Sequence, residues 1–117
     1  MIHKVLTLCF LLSQVSFVMG SENYGIAVHG GAGVMKNLSE NQKQKIEEQI
    51  TKTLTEAYKI IEQGGTSMDA VEFAVSEFED SPLFNAGRGS VYNSEEVQDM
   101  DASIMSGQNR SAGAVAS

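Results

Sequence analysis

Two glycine-rich segments carry the side chains best placed for chemistry. The first, His29-Gly30-Gly31, follows the apolar residues 26–28 and precedes a predicted helix. Strand, glycines and helix is the order that cradles phosphates, and His-Gly-Gly is also similar to the oxyanion loop of esterases. The chain lacks the P-loop lysine, the third glycine of a dinucleotide fingerprint and a Gly-x-Ser-x-Gly elbow. Glycines that let the backbone turn and pack closely remain the competing interpretation.

The second segment, Asn85-Ala86-Gly87-Arg88-Gly89, follows the only proline, Pro82. No helix follows these glycines, so a phosphate cradle is not expected. A loop fixed by proline at one end can turn several backbone carbonyls inward, and hard cations bind such oxygens. Asparagine tolerates tight turns and can both donate and accept hydrogen bonds. The pattern predicts an ion-braced loop that holds Asn85 in place, and an ordinary turn is the alternative.

Other polar residues give weaker signals. Asp99 and Asp101 would share one face of a strand and could act as paired carboxylates, but a solvated face or a turn-anchoring hydrogen bond is favoured. The two histidines are His3 and His29, and no His/Cys/Asp cluster has zinc-ligand spacing.

Two amphipathic helices are predicted between the glycine-rich segments. The first begins at a capping box, Ser39-Glu40-Asn41-Gln42, and runs for about 24 residues to Gly64-Gly65. The second is capped by Thr66-Ser67-Met68-Asp69 and ends before Pro82. Their predicted buried stripes are Ile46, Ile50, Leu54, Ala57 and Ile61 in the first helix and Val71, Ala74, Val75 and Phe78 in the second.

Short strands are predicted on both sides of the helix pair. They cover residues 24–30, which should be buried on both faces, and residues 90–93, 97–105 and 111–117, with turns at 93–96 and 106–109. This order predicts an α+β fold with the helices on one face of a sheet. The final strand would leave an uncovered sheet edge, which indicates a truncated chain.

The first twenty residues have the layout of a cleaved secretory signal, with Lys4 before an apolar run and a cut expected after Gly20. Polar residues shorten that run below the length of a membrane anchor. Residues 21–117 would then hold seven basic and 15 acidic residues, for a net charge of −8, and no cysteine. That charge argues against nucleic acid and anionic membrane as partners. The expected location is secreted or periplasmic.

Two Asn-x-Ser sequons, at Asn37 and Asn109, would be glycosylation acceptors only in a eukaryotic secretory pathway.

Five blocks of the chain carry a family resemblance. "IAVHGGAG", "GGTSMDAVEFAV", "DSPLFNAGRGSVYN", "MDASIMSG" and "AGAVAS", in this order and spacing, resemble the N-terminal part of the plant-type L-asparaginase/isoaspartyl peptidase family of N-terminal-nucleophile hydrolases. The resemblance covers nearly all of residues 21–117.

The resemblance implies part of an αββα sandwich, made as a precursor that cleaves itself before a threonine. That threonine would be the nucleophile, and its freed α-amino group the general base. The implied substrates are isoaspartyl dipeptides and L-asparagine. The implied partner is a β subunit from the same precursor, in an (αβ)2 assembly, with no cofactor beyond a structural sodium ion. The family's Gly-Thr-Val-Gly nucleophile block is absent from these 117 residues, so the chain alone is expected to be inactive, and its substrate-binding residues are unknown.

Site residues also follow from the resemblance. Asn85 matches the asparagine beside the nucleophile, and His29, Gly30 and Gly31 match the loop linked to self-cleavage. The loop after the second helix matches a sodium site, whose ligands would be the main-chain oxygens of Phe78, Glu79, Ser81, Phe84, Ala86 and Arg88.

Several features leave alternatives open. Gly65-Thr66 could be mistaken for the cleavage site, but Thr66 is needed as a helix cap. Ser106 stands where the family usually has aspartate, and Arg88 where small or apolar residues are common. A non-catalytic remnant or binding module on the same scaffold is one alternative function. A taspase-type threonine protease fragment is another, although a secretory signal argues against it.

Overall fold

The computed structural model describes residues 24–31 and 37–116. Helix α1 spans Glu40–Glu62, helix α2 spans Ser67–Glu79, and a 3-10 turn covers Gly87–Gly89. Strands β1, Asp101–Met105, and β2, Ala112–Ala116, form an antiparallel hairpin in which Asp101 lies opposite Ala116. The described chain is thus mixed α+β, as predicted. The predicted signal at residues 1–20 lies outside the described residues. No helix in the described ranges is long and apolar enough to cross a bilayer.

Local hydrogen bonds set the helix boundaries close to where the sequence predicts them. The Ser39 hydroxyl accepts from the Gln42 N–H at 3.3 Å, and the Gln42 side chain accepts from the Ser39 N–H at 2.9 Å. At the other end of α1, Gly64 has φ +87° and the Gly65 N–H donates to the Ile60 carbonyl at 2.9 Å. This is the Schellman arrangement, which needs a residue without a side chain at the left-handed position.

Small side chains bring the two helices together. Ala57, Ala70 and Ala74 form the fully or almost fully buried centre, with Thr53 also inaccessible to solvent. Alanine at a helix crossing allows a short interaxial distance, since little side-chain volume separates the two backbones. Larger apolar residues then pack around this centre: Ile26, Val28, Ile60, Ile61 and Phe73.

The buried stripe of α2 differs from the prediction. Val71 and Val75 are 44% and 46% exposed, whereas Ala70, Ala74 and Phe78 are buried. Residues four apart share a helix face, so these three form one stripe toward α1 and the two valines lie beside it.

Residues 24–30 have no regular secondary structure and do not form the predicted strand. Ile26 and Val28 are half-buried against the helices, Ala27 is exposed, and the Tyr24 and Tyr58 rings lie 5.5 Å apart. A strand needs a hydrogen-bonded neighbour, and within the described ranges the only sheet is β1 with β2. Both the strand and its burial on two faces were therefore wrong for this structure.

The last part of the chain contains fewer strand residues than predicted. Residues 90–93 are not a strand, and Val91 and Tyr92 are 68% and 69% exposed. Strand β1 begins at Asp101 rather than residue 97. Residue 97 belongs to a turn instead, in which the Asn93 side-chain oxygen accepts from the Glu95 and Val97 N–H groups. The turns predicted at 93–96 and 106–109 are confirmed.

The hairpin is not covered by the helices as predicted. Met105 and Val115 are 62% and 70% exposed, and of the ten residues in the two strands only Ile104 is half-buried. The expected layering of helices on one sheet face is thus absent from the part of the chain described.

Candidate active site

One cavity joins the two glycine-rich segments. It has a volume of about 210 Å³. One side is formed by His29, Gly30 and Gly31. The other side is formed by residues from the end of α2 and the loop that follows it: Val75, Phe78, Glu79, Phe84, Asn85 and Ala86. These segments are far apart in sequence, and the helix pair between them brings them together. The supporting residues proposed from the sequence, His29, Gly30, Gly31 and Asn85, therefore share one site.

Gly30 packs closely against Ile50 and Phe84. A Cβ atom at this position would lie 3.2 Å from both Ile50 Cδ1 and Phe84 Cε1. The Phe84 ring is 5% exposed and packs on the Phe78 ring, with centroids 4.7 Å apart and planes tilted by 49°. The phenyl pair thus fixes the distance between the histidine segment and Asn85, and only glycine fits without displacing it.

The histidine ring is oriented by its own loop. The Gly31 N–H donates to His29 Nδ1 at 3.0 Å, and Gly31 has φ +93°. A nitrogen that accepts a hydrogen bond carries no proton, so in this arrangement the N–H of the ring is on Nε2. The ring is exposed and presents Nε2–H as a donor.

Asn85 has its side chain fixed by one backbone bond. The Val91 N–H donates to Asn85 Oδ1 at 3.0 Å. Because a backbone N–H can only donate, the side-chain atom facing it must be the oxygen. The amide NH2 group is therefore the part of Asn85 available to a ligand or a second polypeptide segment.

Pro82 follows a tight end of α2. The Ser81 N–H donates to the Phe78 carbonyl at 3.3 Å, and the Leu83 N–H donates to the Ser81 hydroxyl oxygen at 3.3 Å. Ser81 is 8% exposed, so its hydroxyl satisfies a backbone donor that the proline turn would otherwise leave without a partner. The helix thus ends in a fixed turn that leads directly to Phe84 and Asn85.

The loop after Asn85 closes back on the end of α2. Gly87 has φ +49°, and a Cβ there would collide with the carbonyl of Glu79, while a Cβ at Gly89 would collide with the carbonyl of Phe84. The Gly89 N–H donates to the Ala86 carbonyl at 3.0 Å. Two backbone carbonyls therefore face the glycine turn at very short range, which excludes side chains at both glycines.

The main-chain oxygens proposed for the sodium site are chemically suitable ligands. The six proposed ligands run from the last turn of α2, Phe78 and Glu79, through the loop at Ser81, Phe84 and Ala86 to the 3-10 turn at Arg88, and neutral carbonyl oxygens suit a hard monovalent cation. The Phe78 carbonyl accepts from both the Asp80 and the Ser81 N–H groups, whereas the Ala86 carbonyl accepts only from the Gly89 N–H and retains a second lone pair. Across the described ranges no three His, Cys, Asp or Glu side chains group as metal ligands.

Charged residues near the loop have structural contacts. Arg88 Nε lies 3.2 Å from Asp80 Oδ1, with both side chains about three-quarters exposed, so the pair contributes little to stability. Asp99 accepts a 2.6 Å hydrogen bond from Asn93 Nδ2, which supports the turn-anchoring interpretation over paired carboxylates. Asp101 instead occupies the first position of β1.

Thr66 has the role of a helix cap. Its hydroxyl oxygen accepts from the Asp69 N–H at 3.1 Å, and the Thr66 N–H donates to Asp69 Oδ2 at 2.8 Å. Hydrogen bonds from the Thr66 side chain, and then from its backbone, lower the pKa of the Asp69 carboxyl. Gly65-Thr66 is therefore used structurally in the way the sequence predicts.

Two contributors to the site were missed by sequence reasoning. Neither the Phe84 ring, which contacts Gly30, nor the Val91 N–H, which orients Asn85, was identified. A backbone group six residues beyond its side-chain partner leaves no periodic signal. The phenylalanine could have been found, since a large apolar residue inside a polar loop generally packs somewhere.

Comparisons with known proteins agree with the family blocks. A family model described as Asparaginase matches residues 22–117. The Isoaspartyl peptidase/L-asparaginase of Mus musculus is 50% identical over 90 residues, which are 77% of this chain and 27% of that protein. The Homo sapiens protein of the same name is 44% identical over 90 residues, which are 77% of this chain and 29% of that protein. The Probable isoaspartyl peptidase/L-asparaginase 2 of Arabidopsis thaliana is 38% identical over 92 residues, which are 79% of this chain and 28% of that protein.

The match thus extends over most of this chain but spans less than a third of the length of these relatives. Since the family model covers all but the first 21 residues, the chain belongs to the asparaginase family that includes the isoaspartyl peptidase/L-asparaginases.

Proposed function

We propose that this chain forms part of a hydrolase that cleaves isoaspartyl dipeptides and L-asparagine. The observation that carries the proposal is the single cavity shared by His29, Gly30, Gly31 and Asn85. The names of the relatives support the same reaction class. In this proposal the chain contributes one wall of the site to a complete αββα sandwich, and the nucleophile comes from a threonine outside these 117 residues.

The proposed reaction is an acyl transfer in two steps. The threonine hydroxyl oxygen attacks the side-chain carbonyl of the substrate, its proton passes to the threonine α-amino group, and the amine or ammonia leaves with that proton. Water then cleaves the resulting ester and releases aspartate. Asn85 supports this chemistry with its amide N–H groups, which can donate to the nucleophile oxygen or to the substrate because Oδ1 is held by Val91.

The histidine segment has a separate proposed role. The resemblance links His29, Gly30 and Gly31 to self-cleavage of the precursor, and the His29 Nε2–H would be the donor available for that step. The close packing of Gly30 on Phe84 would keep this segment in register with Asn85.

The sodium ion, the subunits and the location complete the proposal. Sodium would be held by the six carbonyls of the loop and would stiffen it without taking part in the reaction. The part after self-cleavage would be the β subunit, and two αβ pairs would assemble. Secretion or a periplasmic location follows from the proposed signal at residues 1–20.

The test is to express the complete gene product and to follow self-cleavage and hydrolysis together. The proposal expects two fragments, a threonine at the new N-terminus, and release of amine from β-Asp-Leu and of ammonia from L-asparagine. Replacing that threonine with alanine should abolish both events. A folded complete protein that neither cleaves itself nor hydrolyses either substrate would support the non-catalytic alternative. Hydrolysis by the 117-residue chain alone would contradict the assigned nucleophile.

A further inference from the structure

The two Asn-x-Ser sequons have different structural settings. Asn109-Arg110-Ser111 lies in the turn between β1 and β2, whereas Asn37-Leu38-Ser39 leads into α1. Both asparagines are exposed, so access alone does not distinguish them. The two sites differ in the hydrogen bonds that the serine hydroxyl makes.

In the Asn109 sequon, the Ser111 hydroxyl contacts the side-chain amide of Asn109. Ser111 Oγ donates to Asn109 Oδ1 at 2.7 Å, and the Ser111 N–H donates to the same oxygen at 3.0 Å. The backbone donor identifies the atom as oxygen, so the side-chain nitrogen is on the other side of the amide. Among the described residues that nitrogen has no hydrogen-bond partner, and it is accessible to an incoming group.

The turn that carries this sequon is closed by backbone bonds. The Ser106 N–H donates to the Ser111 carbonyl, and the Arg110 N–H to the Ser106 carbonyl, both at 2.9 Å. Arg110 adopts φ +59°, the left-handed conformation that lets the chain reverse before β2. The Asx-type turn at Asn109 is thus built into the hairpin and needs no rearrangement to form. Residues 106–111 do not line the cavity at Asn85, so an attachment here would leave that cavity open.

In the Asn37 sequon, the Ser39 hydroxyl is hydrogen-bonded to Gln42 instead of to Asn37. Ser39 Oγ donates to Gln42 Oε1 at 2.9 Å and accepts from the Gln42 N–H at 3.3 Å, as the capping box of α1 requires. Turning this hydroxyl toward Asn37 would remove the cap and leave the Gln42 N–H without its acceptor. This sequon is therefore opposed by the helix that follows it.

We propose that Asn109 is an acceptor for N-linked glycosylation and is preferred over Asn37. The donor is an oligosaccharide linked through pyrophosphate to a polyprenol lipid. The Asn109 side-chain nitrogen bonds to the first carbon of the sugar, the sugar–phosphate bond breaks, the lipid pyrophosphate leaves, and one amide proton is released. The Ser111 hydroxyl, by donating to Oδ1, draws electron density from the amide and makes the N–H more acidic. This inference is independent of the hydrolase reaction and requires only entry into a eukaryotic secretory pathway.

The test is translation of the full chain, followed by a sequon-free polar extension, in the presence of eukaryotic microsomes. One arm uses the chain's own N-terminus, and a second places a known secretory leader before residue 21. Protease protection reports translocation, and a peptide-N-glycosidase-sensitive mass shift reports the glycan. Absence of translocation in the first arm alone would refute the proposed signal, while the second arm still tests Asn109.

We expect the glycan to be lost in Asn109→Gln and Ser111→Ala, kept in Ser111→Thr, and unchanged in Asn37→Gln and Ser39→Ala. The proposal is overturned if translocated chain carries no glycan, or if occupancy at Asn37 equals or exceeds that at Asn109. It is also overturned if Ser111→Ala leaves the shift unchanged, since the hydroxyl contact would then have no part in acceptance.

Discussion

The Val91 N–H and the Asn85 side-chain oxygen form a 3.0 Å hydrogen bond that closes the loop between them. This single contact decides which end of the Asn85 amide faces outward. It also connects the turn after α2 to the segment that leads toward the hairpin. The polarity of Asn85 is therefore a property of the fold and does not depend on a bound substrate.

Asn85→Asp tests the role of the amide NH2 group separately from that of the side-chain oxygen. A carboxylate keeps an oxygen for the Val91 N–H but replaces the NH2 donor with a negatively charged acceptor. In the complete enzyme we expect thermal stability to change little and kcat/KM for β-Asp-Leu to fall about 100-fold or more, as for loss of a positioned donor. Asn85→Ala should reduce both activity and stability. If Asn85→Asp retains wild-type kcat/KM, the amide donor has no role.

Gly30→Ala tests the contact between the two segments of the site. The added methyl group would meet Ile50 and Phe84 at 3.2 Å, so we expect the free energy of unfolding to fall by about 1 kcal/mol through overpacking. Gly25→Ala is the matched control, because a Cβ there has no neighbour within 4 Å. Denaturant unfolding of the complete protein measures both. Equal changes in the two variants would show that the Gly30 contact is not tight.

The loop glycines test the proposed ion site. Gly87→Ala places a methyl group on the Glu79 carbonyl at a left-handed backbone position, and the combined cost should be about 3 kcal/mol. Gly107→Ala is the control, since a Cβ there meets nothing within 4 Å. We also expect the wild-type complete protein to have a higher melting temperature in sodium than in a bulky organic cation.

That sodium-dependent difference should persist in Gly107→Ala and disappear in Gly87→Ala. An identical melting temperature of the wild type in the two cations would show that the loop does not bind sodium. Side-chain changes at Ser81 or Arg88 should affect the difference less, because the proposed ligands are main-chain oxygens.

The Asp69 cap predicts a specific pH response. Its pKa is lowered in the folded state by hydrogen bonds from Thr66, so its contribution to stability is fully present above the unfolded pKa, about 4, and is lost as pH falls through the folded value. Asp69→Asn can keep an oxygen that accepts from the Thr66 N–H and hydroxyl, but it does not titrate. Melting temperatures of the complete protein below about pH 4 should therefore decline more steeply for wild type than for Asp69→Asn. Parallel curves would contradict this coupling.

The helices could be predicted well because their limits are encoded locally. Ser39 and Thr66 supply their own capping bonds, and Gly64 supplies the left-handed residue that ends α1. The meeting of His29 with Asn85 required the family resemblance, because nothing in their spacing brings them together. The structure then supplied the physical link, which is the packing of Gly30 on Phe84.

The strands were harder to predict because their formation depends on a neighbour. Residues 24–30 have the apolar composition of a buried strand but pair with no strand in the described ranges. Val91 was predicted to enter a ladder, yet its N–H bonds to the Asn85 side chain. The valines Val71 and Val75 were misplaced because α2 approaches α1 through its alanines, and a contact between two helices cannot be read from one of them.

The central claim is that this chain supplies the supporting wall, and Asn85 its polar contact, for a threonine nucleophile outside these residues. The most direct measurement is a crystal structure of the complete, self-cleaved protein with an isoaspartyl dipeptide. We predict that the Asn85 NH2 group lies within hydrogen-bond distance of the N-terminal threonine hydroxyl or of the substrate, with its oxygen still bonded to the Val91 N–H. A structure that places Asn85 out of reach of both would contradict the account.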